Sequence, residues 1–203
     1  MPDHSKCLSV PATLALPSLH LALRAATQDA HERLHQHAGF AAIQDSTIGL
    51  ADYRDLIARL YGFYLPFEVA LEIVPERTNS LAADLDVMGP KAPRERVSIC
   101  GALPRLDSAY RRLGALYVAE GSALGGRALA RKLDRLLGEY DVAGRRFFVG
   151  RGAGTNAAWK RYLLRLAAAP TDPSVHAEII EGAVETFAAF EDWLNGWSTP
   201  AYG

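Results

Sequence analysis

Residues 117–132 read YVAEGSALGGRALARK, a stretch that combines a helical composition with three glycines. Each glycine inside a helix costs about 1 kcal/mol relative to alanine. Projected at about 100° per residue, one stripe contains Gly114, Tyr117, Gly121, Gly125, Ala128 and Lys132. The middle of this stripe carries no side chain, so a partner can approach the backbone closely. Two partners fit the pattern: another helix packed through small residues, or a flat ligand.

Helical patterns extend from this stretch over most of the chain. Ala and Leu recur at spacings of three and four, and β-branched residues are sparse. The pattern predicts an all-α, single-domain bundle over residues 18–197, with a flexible arm over 1–17 and a tail over 198–203. Short helices or loops are expected over 76–104, and longer helices over 18–39, 50–73 with Pro66 inside, 107–137, 155–168 and 174–194.

Composition narrows the class of function. The chain has 203 residues, 49% of them hydrophobic, which suits one well-filled core. A net charge of −1 gives no electrostatic reason to expect nucleic acid or an anionic membrane as a partner. No apolar run reaches the roughly 18 residues of a membrane span. Cys7 and Cys100 are too few for a disulfide framework, so a reducing, cytoplasmic location is expected.

The first helix contains His31-Glu32-Arg33-Leu34-His35, which matches the H-E-x-x-H pattern of zinc hydrolases. A zinc site needs a third ligand, and the extended form of the motif would need Gly at 38 and His at 41, where the sequence has Ala38 and Ala41. Glu32 and His35 also form one Glu-x-x-His pair, but a di-iron bundle needs a second pair and the sequence has none. Both of these metal-site interpretations are therefore incomplete.

A third interpretation starts from the helical projection of the same segment. Arg24, Thr27, His31 and His35 lie along one flank, between the apolar arc and the solvent. Arg24 and His31 are two turns apart, about 10.5 Å along the axis. This separation suits a flat ligand with a central metal and carboxylates at its edge, held by an imidazole and a guanidinium. The alternative is a boundary histidine without a ligand.

Two segments resemble the haem oxygenase family. LRAATQDAHERL, residues 23–34, is similar to its proximal helix, and LYVAEGSALGGRALARKL, residues 116–133, is similar to the distal helix of bacterial members. The resemblance implies haem sandwiched between these helices. It makes His31 the axial iron ligand, and it makes Arg24 and Tyr117 contacts of the haem propionates.

Further site residues follow from the same resemblance. Gly121 and Gly125 would contact haem and leave room for oxygen, and would so take part in catalysis. Additional haem contacts are expected from Thr27, Ser122, Gly126, Lys132, Lys160, Arg161, Phe187 and Phe190. For Lys160 and Arg161, solvated surface charges are the alternative. One departure stands out, because His35 occupies the position of a glutamate that normally accepts the Nδ1–H of the ligand histidine.

The implied activity is oxidative cleavage of haem to biliverdin, CO and ferrous iron with O2. Electrons would come from ferredoxin or an NAD(P)H-dependent reductase, and a phytochrome-type photoreceptor or a reductase would accept the biliverdin. His35 motivates an alternative, namely a haem-binding carrier or sensor with the same fold and no turnover.

Overall fold

The computed structural model describes residues 18–89, 97–139 and 141–197. These segments form α1 (Leu19–Gln36), α2 (Ala38–Gln44), α3 (Leu50–Ala70), α4 (Glu76–Val87), α5 (Ala109–Lys132), α6 (Asp134–Leu137), α7 (Arg146–Val149), α8 (Gly154–Ala167) and α9 (Pro173–Leu194). No β-strand occurs in the described segments, and the predicted all-α fold is confirmed. The predicted arm over 1–17 and tail over 198–203 lie outside the described residues. Among the described helices, none combines the length and the apolar character that crossing a bilayer requires.

Polar caps set the starts of the helices that frame the site. The Ser18 hydroxyl accepts the N–H of Leu21 at 3.4 Å before α1, and the Ser108 hydroxyl accepts the N–H of Arg111 at 3.1 Å before α5. Such caps satisfy backbone donors that have no partner within the first turn. α3, α8 and α9 begin and end within three residues of their predicted bounds.

Two predicted helices are each divided in the structure. The first ends at Gln36 rather than near Gly39, because the backbone of His37 adopts φ −58° and ψ 131°. The Nδ1 atom of His37 accepts the N–H of Gly39 at 3.3 Å, and its Nε2 donates to the carbonyl of Leu194 at 3.1 Å. The long later helix is divided at Leu133 into α5 and α6.

The crossing of α5 and α9 depends on glycine. A Cβ built on Gly114 would overlap the carbonyl oxygen of Ile179 and lie 2.8 Å from the nitrogen of Ala183. On the other helix, a Cβ on Gly182 would overlap Arg111 O and lie 2.8 Å from Arg111 Cα. The two backbones therefore touch without intervening side chains, which fixes α5 at its N-terminal half.

A buried carboxylate joins α3 to α4. Glu68, only 1% exposed, accepts the backbone N–H groups of Arg77 at 3.1 Å and Thr78 at 2.9 Å. The hydroxyl of Thr78 donates to the same carboxylate at 2.7 Å. These bonds satisfy the first turn of α4 and hold Arg77 beside α5.

Candidate functional site

A cavity of about 750 Å³ lies between the helices and is lined mainly by apolar side chains. Ligand pockets for small molecules and cofactors span roughly 300–1,000 Å³. α1, α3, α4, α5, α7, α8 and α9 all contribute to its walls. Ten of the sequence-predicted site residues line it: Arg24, Thr27, His31, Tyr117, Gly121, Ser122, Gly125, Gly126, Phe187 and Phe190.

α1 lines the cavity with the polar flank that the helical projection of its sequence predicts. Arg24 is exposed and forms no ion pair with any described residue, so its guanidinium is available to a carboxylate. Thr27 is buried, and its hydroxyl donates to the carbonyl of Leu23 at 2.8 Å. That hydroxyl proton is therefore used inside α1 and is not offered to a ligand.

His31 opens to the cavity between two other rings. Its ring centre lies 4.5 Å from that of His35 and 6.4 Å from that of Phe187, both in edge contact. The pKa of His31 lies below its usual value, first because partial burial disfavours the charged form and next because His35 repels a second positive charge. The neutral imidazole that results is the form that binds metals.

The glycines of α5 divide into a packed group and an open group. Among the described residues, a Cβ on Gly125 would meet no heavy atom within 4 Å, and one on Gly121 would meet only Trp159 Cζ3 at 3.9 Å. By contrast, a Cβ on Gly126 would lie 3.0 Å from the carbonyl oxygen of Phe148. Helix packing therefore explains Gly114 but not Gly121 or Gly125, where the helix backbone faces open space.

A small polar group lies next to the open glycines. The hydroxyl of Ser122 donates to Ala119 O at 2.9 Å and lies 3.4 Å from the hydroxyl of Tyr64. Burial raises the pKa of Tyr64, which keeps its phenol protonated. Arg77 donates to Ala119 O at 2.8 Å and to Glu120 at 3.1 Å. These protons of Ser122 and Arg77 are used within the protein, and the hydroxyl oxygens of Ser122 and Tyr64 are the polar atoms beside an otherwise apolar wall.

Aromatic side chains form two further parts of the lining. Tyr117 packs 5.8 Å from Trp159, which stacks on Tyr162 at 5.3 Å between ring centres. Phe187 and Phe190 of α9 are almost fully buried, and both line the cavity. Large apolar rings on two sides suit a flat, apolar ligand.

Three predicted contacts do not reach the cavity. Lys132 is exposed beyond Leu129, the last residue of α5 in the lining. Lys160 and Arg161 are exposed on α8, where only Trp159 faces the cavity. The cavity walls therefore give no support to contacts between these three side chains and a ligand.

Several lining residues were not singled out from the sequence. Tyr64 belongs to the aromatic run YGFYLPF over 61–67, whose period on a long helix was a usable signal. Arg77, Phe147 and Arg151 lie in or beside short helices, where no periodic pattern marks an inward face. Their positions depend on tertiary contacts such as those of Glu68.

The H-E-x-x-H motif has no third metal ligand nearby among the residues that the structure describes. Within the segments that the structure describes, no cluster of three or more His, Cys, Asp and Glu side chains has the geometry of a metal site. A hydrolytic zinc site and a di-iron site both require such a cluster. Neither of these two interpretations gains support from the arrangement around His31.

Comparison with known proteins identifies the family. The family model described as Heme oxygenase matches residues 17–196. Heme oxygenase-1 of the cyanobacterium Synechocystis sp. PCC6803, solved with heme, superposes with a TM-score of 0.68 at 20% identity, covering 88% of this chain and 91% of that one.

Two further bacterial enzymes have the same fold. Heme oxygenase of Leptospira interrogans gives a TM-score of 0.68 at 19% identity, over 88% of this chain and 98% of its own. That of Neisseria meningitidis, in NO- and CO-bound forms, gives 0.65 at 22% identity, over 90% and 92%. No curated protein sequence is similar enough to this chain to count as a match. The match of the family model over nearly the whole length establishes that this chain belongs to the haem oxygenase family.

Proposed function

We propose that this protein is a haem oxygenase that cleaves haem to biliverdin and releases CO and ferrous iron. One observation carries the proposal. The same cavity is lined by His31, whose lowered pKa favours the neutral imidazole, and by a stretch of α5 without side chains at Gly121 and Gly125. When bound, haem is both the substrate and the group that activates O2. The work of the protein is to hold and orient it.

His31 would bind the iron and leave one face of the ring open. The Phe187 ring lies edge-on to the imidazole, and the lowered pKa of His31 favours the ligating form at neutral pH. Arg24 at the cavity edge would pair with one propionate, and the phenol of Tyr117 would donate to the same edge. Phe187 and Phe190 would pack on the porphyrin and exclude water.

Gly121 and Gly125 would let the ring and a bound oxygen molecule lie close to the backbone of α5. Side chains at these two positions would fill the open space next to the backbone of α5. The hydroxyl oxygens of Ser122 and Tyr64, 3.4 Å apart, would hold water there, and the phenol of Tyr64 would donate to it. Gly126 would contribute backbone only, since Phe148 covers it.

The reaction consumes electrons, and we propose ferredoxin or an NAD(P)H-dependent reductase as the donor. Arg127, Arg131, Lys132 and Arg135 are not buried, and they form no ion pair with a described residue. Asp134, the acidic residue among them, is paired with Arg145. This positive surface beside the cavity end of α5 suits an acidic donor protein. A phytochrome-type photoreceptor or a reductase remains the predicted acceptor of biliverdin.

A haem carrier or sensor is the second candidate, favoured by one feature. His35 stands beside His31 where a carboxylate would strengthen the ligand, and neither imidazole is hydrogen-bonded to another described residue. Without an acceptor for its N–H, the axial ligand is less basic. A carrier would bind haem and release it unchanged.

The deciding experiment adds hemin to the purified protein, followed by ascorbate or a ferredoxin system. An oxygenase loses its Soret band and gains biliverdin bands, with CO released. A carrier keeps its Soret band unchanged under the same conditions. Failure to take up hemin at all would contradict both candidates.

Replacing the ligand gives the first specific prediction. His31→Ala should lose five-coordinate ligation and most of the turnover, because His35, the other α1 imidazole in the lining, lies one turn further along, about 6 Å away on the helix axis. Resonance Raman and absorption spectra of the hemin complex report the ligand, and added imidazole should restore the wild-type spectrum. A wild-type spectrum without imidazole would show that His31 is not the ligand.

A further inference from the structure

The proposed haem function uses only one of the two neighbouring histidines His31 and His35. The two side chains lie one helical turn apart on α1, and both line the cavity. Two histidines at this spacing on a helix can bind the same metal ion. A haem iron between two helices uses one of them, so the second imidazole has no role in the proposed reaction.

The distance between the rings matches joint coordination. Two imidazoles bound side by side to one ion, with metal–nitrogen bonds of about 2.0–2.1 Å, place their ring centres roughly 4.5–5 Å apart. The observed separation is 4.5 Å, with the rings inclined by 70°. The structure thus holds the two rings at the required spacing without a change in the helix.

The surroundings leave both rings open to such an ion. Both histidines are exposed, and neither ring is hydrogen-bonded to a residue of the described segments. Glu32 lies between them in sequence and is held by Gln28, whose amide donates to its Oε1 at 3.1 Å. This carboxylate acts on His31 as a nearby negative charge, and it acts more strongly there than the positive charge of Arg24.

We propose that His31 and His35 form a chelate for a late first-row transition metal ion, with water in the remaining positions. Imidazole suits Cu²⁺, Ni²⁺ and Zn²⁺, and the order of affinity places Cu²⁺ first. Because His31 is shared, an ion held here and haem exclude each other. Only this exclusion rests on the proposed function; the binding of the ion by the protein without haem does not.

The test uses the full-length, untagged protein after treatment with a chelator. Calorimetric titration with Ni²⁺ should give one site per chain, and the spectrum of bound Cu²⁺ in electron paramagnetic resonance should show two coupled nitrogens. His31→Ala and His35→Ala should each weaken Ni²⁺ binding by at least about tenfold, because the second imidazole binds as an intramolecular ligand. His176→Ala on α9, away from the cavity lining, is the matched control and should change nothing.

A second measurement addresses the exclusion. Excess Ni²⁺ should slow hemin uptake by the wild-type protein and should affect His35→Ala much less, since that variant keeps His31. Unchanged Ni²⁺ affinity in His35→Ala would overturn the chelate, and unchanged hemin uptake under saturating Ni²⁺ would overturn the exclusion. If the metal-free protein takes up no hemin while Ni²⁺ still needs both histidines, the oxygenase proposal fails and the chelate stands.

Discussion

The two halves of α5 use the same residue type in opposite ways. Gly114, in the first half, lies against the backbone of α9, where a Cβ would overlap Ile179 O. Gly125, three turns later on the same stripe, faces space in which a Cβ would touch no atom of the described segments within 4 Å. The first glycine stabilises the fold through close packing, whereas the second destabilises the helix by about 1 kcal/mol without any packing in return.

This difference separates structural from functional glycines without reference to any relative. A small residue that permits contact between helices has its space filled by protein. A small residue that borders empty space at the wall of a cavity has no packing role, which points to a role in binding a ligand. Substitutions that add the same side chain at both positions test this distinction directly.

The largest effect is expected from Gly114→Leu. The side chain has no room at the crossing of α5 and α9, because backbone atoms of Ile179 and Ala183 already occupy it. We expect the free energy of unfolding to fall by at least about 3 kcal/mol, the upper end of overpacking costs. Urea denaturation followed by circular dichroism measures it, with Gly125→Leu as the same substitution on the same helix. Equal free energies of unfolding for the two variants would contradict the division into a packed and an open glycine.

A smaller effect of another kind is expected at Gly125. Gly125→Leu should leave the protein folded but weaken hemin binding by at least about tenfold, or about 1.4 kcal/mol, since the side chain enters the cavity. Gly125→Ala should raise the free energy of unfolding by up to about 1 kcal/mol. Hemin titration and urea denaturation measure the two quantities.

Ala128→Leu is the matched control for Gly125→Leu, because Ala128 is exposed one turn further along and outside the cavity lining. It should leave hemin binding unchanged. Hemin binding by Gly125→Leu that equals that of the wild type would contradict the assignment of the open wall to haem.

The sequence predicts features that depend on local helix geometry, but not features that depend on contacts between distant segments. The helical period predicted the all-α fold, and the projections placed Arg24, His31 and Gly121 at the cavity. The division between Gly114 and Gly125 was not readable, because the stripe is uniform and only the position of α9 distinguishes its ends. Likewise Arg77 reaches α5 through bonds to Glu68, nine residues away on another helix.

Charged residues far along a helix were the least predictable. Lys132 shares the stripe of Gly125, yet it lies beyond the end of the cavity. Angle around a helix follows from sequence spacing, whereas the length of a cavity depends on which other helices close it. Lys160 and Arg161 differ from Trp159 by one and two positions, enough to turn them from the cavity to the surface of α8.

The boundary between the packed and open parts predicts an effect of pH on stability. α7 covers Gly126 beside the open Gly125, and Asp84 holds α7 by accepting the N–H groups of Arg146 at 2.8 Å and Phe147 at 3.0 Å. Burial raises the pKa of Asp84 to about 6, from 3.8 as its ordinary value. Between these two values the folded protein binds more protons at this site than the unfolded chain does.

The sign of the pH dependence follows from that difference. The contribution of Asp84 to stability should fall as pH rises from about 4 to about 6, with a slope below about 1.4 kcal/mol per pH unit for a single proton. Asp84→Asn should flatten this part of the curve, because the amide does not titrate. Urea denaturation at pH 4, 5, 6 and 7 measures the slopes of the wild type and of the variant. If Asp84→Asn keeps the wild-type slope, the carboxylate that fastens α7 is not held protonated by burial, and its two backbone hydrogen bonds outweigh its desolvation.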